Sequence, residues 1–320
     1  SGEAAAKLLL SQGHNVRIID NSDNRELKEK AEVLRAKGAE VLLACPSAFD
    51  LPLGGIPGKM IQGVHEVVIS PGISSQSPWV DALCKQGMKI VSEVELGWRN
   101  IACPLVAVTG SKGKSSTVKL LYEVFSAAGM KTAAGGNYGV PLCSLASRGN
   151  GLDCIIAEIS SFQLEFIKYF KPTVAVLLNI QPDHLDRHPD METYIKLKFK
   201  IFENMEQNNP AIIAADCLKL AHKFVKKTIK WITVAAKASA DYKYENGWII
   251  KGVSGERICN IKGTYFDNNI TGVSAASAVA VCDNFGIAPT ITEKQIRCFR
   301  PLPHRMQEIG CINGIRFIDD

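Results

Sequence analysis

The run Thr109-Gly110-Ser111-Lys112-Gly113-Lys114-Ser115-Ser116 gathers glycines, two lysines and several hydroxyls at one point of the chain. An apolar strand, Leu105 to Val108, leads into it, and a helix from Ser115 to Ala128 leads out. Backbone N–H groups at such a helix start, opened by glycines that let the chain approach closely, make an anion site. A lysine in the loop adds a point charge for the outer phosphates of a nucleoside triphosphate. The spacing departs from G-x-x-x-x-G-K-[ST], because Val108 stands five residues before Gly113. An ordinary glycine-rich turn has no use for two lysines beside two hydroxyls, so Gly110, Ser111, Lys112, Gly113, Lys114, Ser115 and Ser116 are expected to hold ATP. Magnesium on phosphate oxygens needs hard oxygen ligands, and Glu158, closing the strand Cys154 to Ala157, supplies a carboxylate. Alone, such a glutamate is more often a helix-start or surface acid; its weight comes from the loop.

A second signal lies on the segment Tyr194 to Met205, which reads as a helix. At about 100° per residue, Tyr194, Leu197, Ile201, Phe202 and Met205 share one apolar arc. Lys198 falls inside that arc, whereas Lys196, Lys200 and Glu203 lie opposite. A buried lysine is costly unless paired, neutralised or modified. Snorkelling of its stem to water is the plainer explanation; reaction of the neutral amine with carbon dioxide, giving a carbamate that could hold a cation, is the other. Residue geometry alone favours snorkelling. Upstream, Asn179-Ile180-Gln181-Pro182-Asp183-His184-Leu185-Asp186 follows strand Val174 to Leu178 and so sits on a loop at a sheet's ligand edge. Asp183 and His184 could bind metal or orient a nucleophile there, although a single loop Asp more often satisfies backbone donors.

The elements that carry these groups alternate. Helices at Ala4 to Gln12, Arg25 to Lys37 and Trp79 to Gln86 interleave with strands at Val16 to Asp20, Val41 to Ala44, Val67 to Ser70 and Lys89 to Val91, which predicts a doubly wound parallel α/β sheet. A polar stretch from Trp98 to Cys103 marks a boundary. The second α/β unit then runs through strands at Cys154, Val174 and Ala211, a small antiparallel appendage at Tyr242 to Lys262, and an Ala-rich helix at Val273 to Phe285. Arg300-Pro301-Leu302-Pro303 reads as a linker. The expected organisation is a Rossmann-like domain over 1–100, a central phosphate-loop ATPase domain over 101–301, and about one strand of a third Rossmann-like domain over 302–320. The ends read as cut, with the first strand missing and the third domain broken off.

Composition agrees with a globular protein: 46% of residues are hydrophobic and 22% charged, and the net charge of +5 is modest for 320 residues. No arginine-rich block demands nucleic acid. The 10 cysteines show no C-x-x-C pair, as expected of reduced thiols in a cytoplasmic protein rather than a zinc site or disulfide framework. No apolar run reaches the roughly 20 residues a bilayer crossing needs, so no membrane insertion is expected, and nothing calls for an obligate protein partner.

Taken together, the loop at 109–116, Gly135-Gly136-Asn137-Tyr138-Gly139, Glu158-Ile159-Ser160-Ser161-Phe162-Gln163-Leu164-Glu165, Asp183-His184-Leu185-Asp186 and Leu302-Pro303-His304-Arg305 resemble the Mur ligases across essentially the whole chain. The run at 158–165 and the turn Ser70-Pro71-Gly72-Ile73 look most like those members that add D-glutamate to UDP-N-acetylmuramoyl-L-alanine. The resemblance implies an ATP-dependent, amide-forming, ADP-producing ligase of peptidoglycan precursor synthesis, serving cell wall, cell shape and cell division. ATP would phosphorylate the alanyl carboxylate, and the amine of D-glutamate would attack the acyl phosphate. It further implies two Mg²⁺ ions: Lys114 on the outer phosphates, Ser115 and Glu158 at one ion, His184 and a carbamylated Lys198 at the other. By this resemblance the carbamate overtakes snorkelling. Asp20, Ser70, Pro71, Gly72, Asn137 and Gln163 would meet the UDP-sugar, and Asn269, Arg305 and Asp320 the adenosine.

The chain departs from the family pattern in places. Lys112 replaces an asparagine, and Tyr265-Phe266 stands where His-Asn is usual, which loosens the carry-over to Asn269. Three other readings compete: a folylpolyglutamate synthase-like ligase, against which stand the full first α/β unit and the Ser-Ser-Phe-Gln-Leu run; a phosphate-loop NTPase coupled to motion or nucleic acid; and a silent nucleotide-binding fragment.

Overall fold

A computed structural model of the protein describes residues 1–45, 58–147, 151–236, 238–252, 255–302, 307–312 and 314–319. Arg305 and Asp320, assigned above to adenosine, lie outside the described residues, as does Pro303 of the proposed linker. The first stretch runs α1 (Gly2–Ser11), β1 (Arg17–Ile19), α2 (Arg25–Arg35), β2 (Glu40–Leu42), α3 (Gly58–Ile61), β3 (Glu66–Ile69), α4 (Pro78–Lys85), β4 (Lys89–Ser92) and α5 (Glu93–Arg99). The second runs β5 (Leu105–Thr109), α6 (Lys114–Ala127), β6 (Thr132–Gly136), α7 (Leu142–Ala146), β7 (Cys154–Glu158), α8 (Ser161–Leu164), β8 (Val174–Leu177), α9 (Met191–Phe199), β9 (Ala211–Ala214) and α10 (Leu218–Phe224). Strands β10 (Trp231–Ala236), β11 (Tyr242–Glu245), β12 (Trp248–Lys251) and β13 (Glu256–Asn260) follow, then α11 (Thr271–Asn284), α12 (Pro289–Cys298), β14 (Gln307–Ile312) and β15 (Ile315–Asp319).

The expected α/β class holds, with three differences. Among the described residues the first stretch carries two parallel pairs, β1 with β2 and β3 with β4, rather than one continuous ladder. Helix α1 bridges the pairs: Ala6 and Leu10 pack with Ala31, Leu34 and Val41, while Ala4, Ala5 and Leu8 pack with Leu96, Cys143 and Val68. The antiparallel segment expected at Tyr242 to Lys262 is present over 242–260, and it is continuous with the central sheet. Strand β11 pairs parallel with β10 and antiparallel with β12, so β11 to β13 extend one nine-stranded sheet of order β13-β12-β11-β10-β9-β8-β5-β7-β6. Thirdly, the chain after residue 306 forms a two-stranded antiparallel hairpin, β14 with β15, where about one strand was expected.

Every residue of β5, β7, β8 and β9 is buried, because helices cover both faces of a parallel sheet and its strands read as continuous Val, Ile and Ala. The chain leaves β5, adds β6 and β7 on one side, then β8 and β9 on the other. That reversal opens a crevice at the carboxyl ends of β5, β7 and β8.

The boundary expected at Trp98 to Cys103 falls at the end of α5, whose helical character was not foreseen. Two of its carboxylates anchor it to the second stretch. Glu95, fully buried, accepts backbone N–H groups of Lys168, Tyr169 and Phe170 and the guanidinium of Arg99. Glu93, 1% exposed, accepts the N–H of Cys143 at 2.7 Å, and burial pushes its carboxyl above the ordinary range. Gly97 lets α5 meet α7: a Cβ there would lie 2.6 Å from Leu142 Cβ and 2.7 Å from Cys143 N. Gly97→Ala is therefore expected to cost about 1–3 kcal/mol, read as a lower urea midpoint; an unchanged midpoint would show that α5 and α7 are not in close contact.

Candidate active site

The loop after β5 is held in shape by its neighbours before any ligand arrives. Gly113, at φ 84°, caps α6 in the left-handed conformation that a side chain would strain. Asn179, just past β8, accepts the N–H of Lys112 at 2.9 Å through Oδ1 and donates to Lys112 O at 3.0 Å through Nδ2. Ser111 Oγ is 2.9 Å from both Gln181 O and Tyr194 Oη. The backbone of Lys112 is thus fixed while its side chain is exposed, which explains why the fold accepts lysine in place of asparagine. Lys114 Nζ folds back on Gly110 O and Ser111 O, each at 2.9 Å.

Glu158 ends β7 beside this loop and is 2% exposed. Its Oε2 accepts from Ser115 Oγ at 2.7 Å and its Oε1 from Asn137 Nδ2 at 2.7 Å. Asn137 N also donates to Glu158 O at 2.8 Å. Gly136 makes this approach possible, since a Cβ on it would collide with Glu158 O. Three sequence-predicted residues, Ser115, Glu158 and Asn137, therefore meet at one carboxylate.

Lys198 is 2% exposed, as its place on the apolar arc required. It does not snorkel. Its Nζ donates to Gly110 O at 2.8 Å and lies 4.7 Å from the ring centre of Tyr194. Burial first, and then the Lys114 charge, depress its basicity to about 7, while Asp183 and Glu158 pull the other way. Tyr194 was expected only to fill the arc, yet its hydroxyl braces Ser111, and burial pushes it up to about 12. Lys196 is exposed as expected, but Lys200 is half-buried. The helix tightens into a 3-10 turn at Lys200–Phe202, and Lys200 Nζ donates to Glu165 O at 2.8 Å.

The remaining predicted residues divide. His184 stands on an exposed loop at φ 54°, its Nε2 3.7 Å from Asp183 Oδ2 and its ring 5.0 Å from that of Phe162. Among the described residues no three His, Cys, Asp or Glu side chains gather as a ready-made metal cage. Magnesium at phosphates needs none, because it takes one or two protein oxygens plus substrate oxygens, and the Ser115–Glu158 pair offers such oxygens. Gln163 is buried and closes a capping box on α8, its Oε1 accepting from Ser160 N at 2.9 Å and Ser160 Oγ at 3.1 Å. Any role toward a sugar would fall to its amide nitrogen. Asp20 turns the chain after β1 by accepting from Ser22 N at 2.9 Å; the cap of α2 is Asn24. Ser70, Pro71 and Gly72 form a turn at the end of β3, closed by Ile73 N on Ser70 O at 3.0 Å. Asn269 is exposed in the turn before α11. Nearby, Tyr265 Oη reaches Ser116 Oγ at 3.5 Å, and Phe266 packs on Phe299 with ring centres 4.8 Å apart.

Residues 108–276 match the model of the Mur ligase middle domain. Over the whole chain the protein is 34% identical to the UDP-N-acetylmuramoylalanine–D-glutamate ligase of Caldanaerobacter subterraneus subsp. tengcongensis, spanning 69% of that relative. The chain belongs to the Mur ligase family. The ligase of the same name from Koribacter versatilis is 32% identical, again over all of this chain and 69% of the relative. Among solved structures, the fold is shared with the UDP-N-acetylmuramate:L-alanyl-gamma-D-glutamyl-meso-diaminopimelate ligase of Neisseria meningitides, at a TM-score of 0.59 and 14% identity over 94% of this chain and 95% of that one. It is shared too with the ADP complex of the Thermotoga maritima MurF ligase, at a TM-score of 0.57 and 17% identity over 97% and 69% of the two chains. The structure brings three of the motifs, at 109–116, 135–139 and 158–165, into contact at Glu158.

Because Lys198 is held near 7 rather than at the ordinary 10.5, the unfolded chain binds the extra proton between those values. Its destabilising effect is full below about pH 7 and fades as the pH rises toward 10.5. In buffer free of carbon dioxide, Lys198→Met should raise the melting temperature at pH 6, by a margin that shrinks toward pH 10. A margin independent of pH would show that the ammonium is not buried.

Proposed function

We infer that the protein is an ATP-dependent, ADP-forming ligase that joins D-glutamate to UDP-N-acetylmuramoyl-L-alanine in peptidoglycan precursor synthesis. The name borne by both whole-chain relatives supports the substrates. The observation that carries the chemistry is the meeting of Ser115, Asn137 and Glu158 on the phosphate loop beside a buried, weakly basic Lys198. In this reading Lys114 leaves the carbonyls of Gly110 and Ser111 for the outer phosphates, and the loop N–H groups from 110 to 116 hold the rest. Ser115 and Glu158 would hold one Mg²⁺. His184 and Lys198, the latter as its carbamate, would hold a second. The metal supplies neutralisation of the charge that builds on the transferred phosphoryl group.

Lys198 is prepared for that change. Near neutral pH a large share of its amine is unprotonated and can attack carbon dioxide: the N–C bond forms and the amine proton leaves to solvent. A carbamate then faces the Lys114 ammonium with opposite charge, where the protonated amine faced it with the same charge. The alanyl carboxylate takes the outer phosphoryl group of ATP, and ADP is the leaving group. The amine of D-glutamate attacks the acyl carbon, the tetrahedral intermediate collapses, and phosphate departs. Asp20, the Ser70-Pro71-Gly72 turn, Asn137 and Gln163 are assigned to the UDP-sugar; Asn269, Arg305 and Asp320 to adenosine. No described helix is long and apolar enough to cross a membrane, and the described cysteines are free thiols, which supports placing the reaction in the cytoplasm.

Phosphate release from ATP by the full-length protein should require both UDP-N-acetylmuramoyl-L-alanine and D-glutamate; equal release without them would sink the ligase reading. Native mass spectrometry should find one carbon dioxide added at Lys198, and small carboxylic acids should restore part of the activity of Lys198→Ala. A fully active enzyme with an unmodified lysine would refute the carbamate alone.

A further inference from the structure

One side chain on the His184 loop reaches a different part of the molecule, and none of the chemistry above uses it. Arg187 Nη1 donates to Gly72 O at 3.0 Å, and its Nη2 donates to Ile73 O at 2.8 Å and Pro71 O at 3.3 Å. These carbonyls belong to the turn after β3. Glu165, 4% exposed in its side chain, lies 3.7 Å from Nη2 and accepts Ser75 N at 3.1 Å, so the same turn is gripped from both signs of charge. On its other side the guanidinium lies 4.9 Å from the ring centre of Phe162, the ring that faces His184 at 5.0 Å. Arg187 N also donates to His184 O at 3.1 Å, closing the tight turn in which His184 takes its positive φ.

A planar fork with several fixed donors can bind three successive carbonyls; a lysine ammonium cannot reproduce that geometry. Any movement of the 71–73 turn is therefore passed through one rigid group to the backbone and ring of His184. We propose that Arg187 is a positioning residue that latches the Pro71–Ile73 turn to the His184 loop, so that seating a nucleotide-sugar on the turn sets that loop for acyl transfer. The proposal rests on the ligase reading. It makes the loop responsive to the acceptor substrate and indifferent to ATP, whose phosphates are held by residues 110–116.

The test is steady-state kinetics of the full-length protein carrying Arg187→Ala and Arg187→Lys. Losing charge-assisted hydrogen bonds of this kind should raise KM for UDP-N-acetylmuramoyl-L-alanine about tenfold or more and lower kcat, with KM for ATP changed by less than about twofold. Arg187→Lys, which keeps the charge without the fork, should fall between, and it carries the test if the alanine variant does not fold. Equal rises in both KM values, or an unchanged KM for the nucleotide-sugar, would overturn the latch. Wild-type protein that turns over no nucleotide-sugar would instead overturn the ligase reading and the latch with it, so the two failures are told apart.

Discussion

The active site is organised around a buried ammonium group, 2% exposed. Lys198 directs its charge at the carbonyl of Gly110 and the face of Tyr194, and both belong to or brace the phosphate loop. Desolvation and the Lys114 charge together favour the neutral amine. The loop's shape, the helix it opens and the lysine beneath it are thus one unit: moving Gly110 would take away the carbonyl that the ammonium pairs with, and removing the ammonium would leave that carbonyl, which Lys114 also caps, with one donor fewer.

The sheet explains why these groups converge although they lie far apart in the sequence. Strand β5 is flanked by β7 and β8, so the loop after β5 lies between the residue that ends β7 and the one that follows β8. Glu158 arrives from one side to meet Ser115 and Asn137, and Asn179 from the other to meet Lys112. Topology supplies proximity, and hydrogen bonds then fix the positions to within the tolerance that phosphoryl transfer demands.

Much of this was legible in the residues. The phosphate loop and the misplaced Lys198 each violate an ordinary pattern, Glu158 takes its weight from the loop, and each has a partner in space. What stayed hidden has physical reasons. Strand β6 is Thr-Ala-Ala-Gly-Gly, a sequence of low strand propensity that forms because its neighbour β7 is buried beside it. Helix α5 carries two buried glutamates and an internal glycine, which read as a polar break until Glu95 finds three backbone N–H groups. Gln163 offered a visible signal, the Ser160-to-Gln163 spacing of a capping box, that the family motif overshadowed. Arg187 and Tyr194 act through contacts more than 80 residues distant in Arg187's case and in Tyr194's, and no local periodicity announces such pairings. Lys200 was misplaced because the helix does not keep its period past Phe199.

The anchoring of α5 bears on how this molecule can be divided. In sequence, the stretch from Trp98 to Cys103 looks like a natural place to cut. A protease or an engineer cutting there would separate Glu95 from covalent continuity with the peptide groups it satisfies at 168–170, and Glu93 from the Cys143 N–H. The isolated ATP-binding piece would then expose a cradle of N–H groups that attracts stray anions, together with the apolar face of α7 that α1 and α5 had covered. Solubility of such a fragment would depend on carrying α5 along with it, which makes residue 92 the better place to divide the chain.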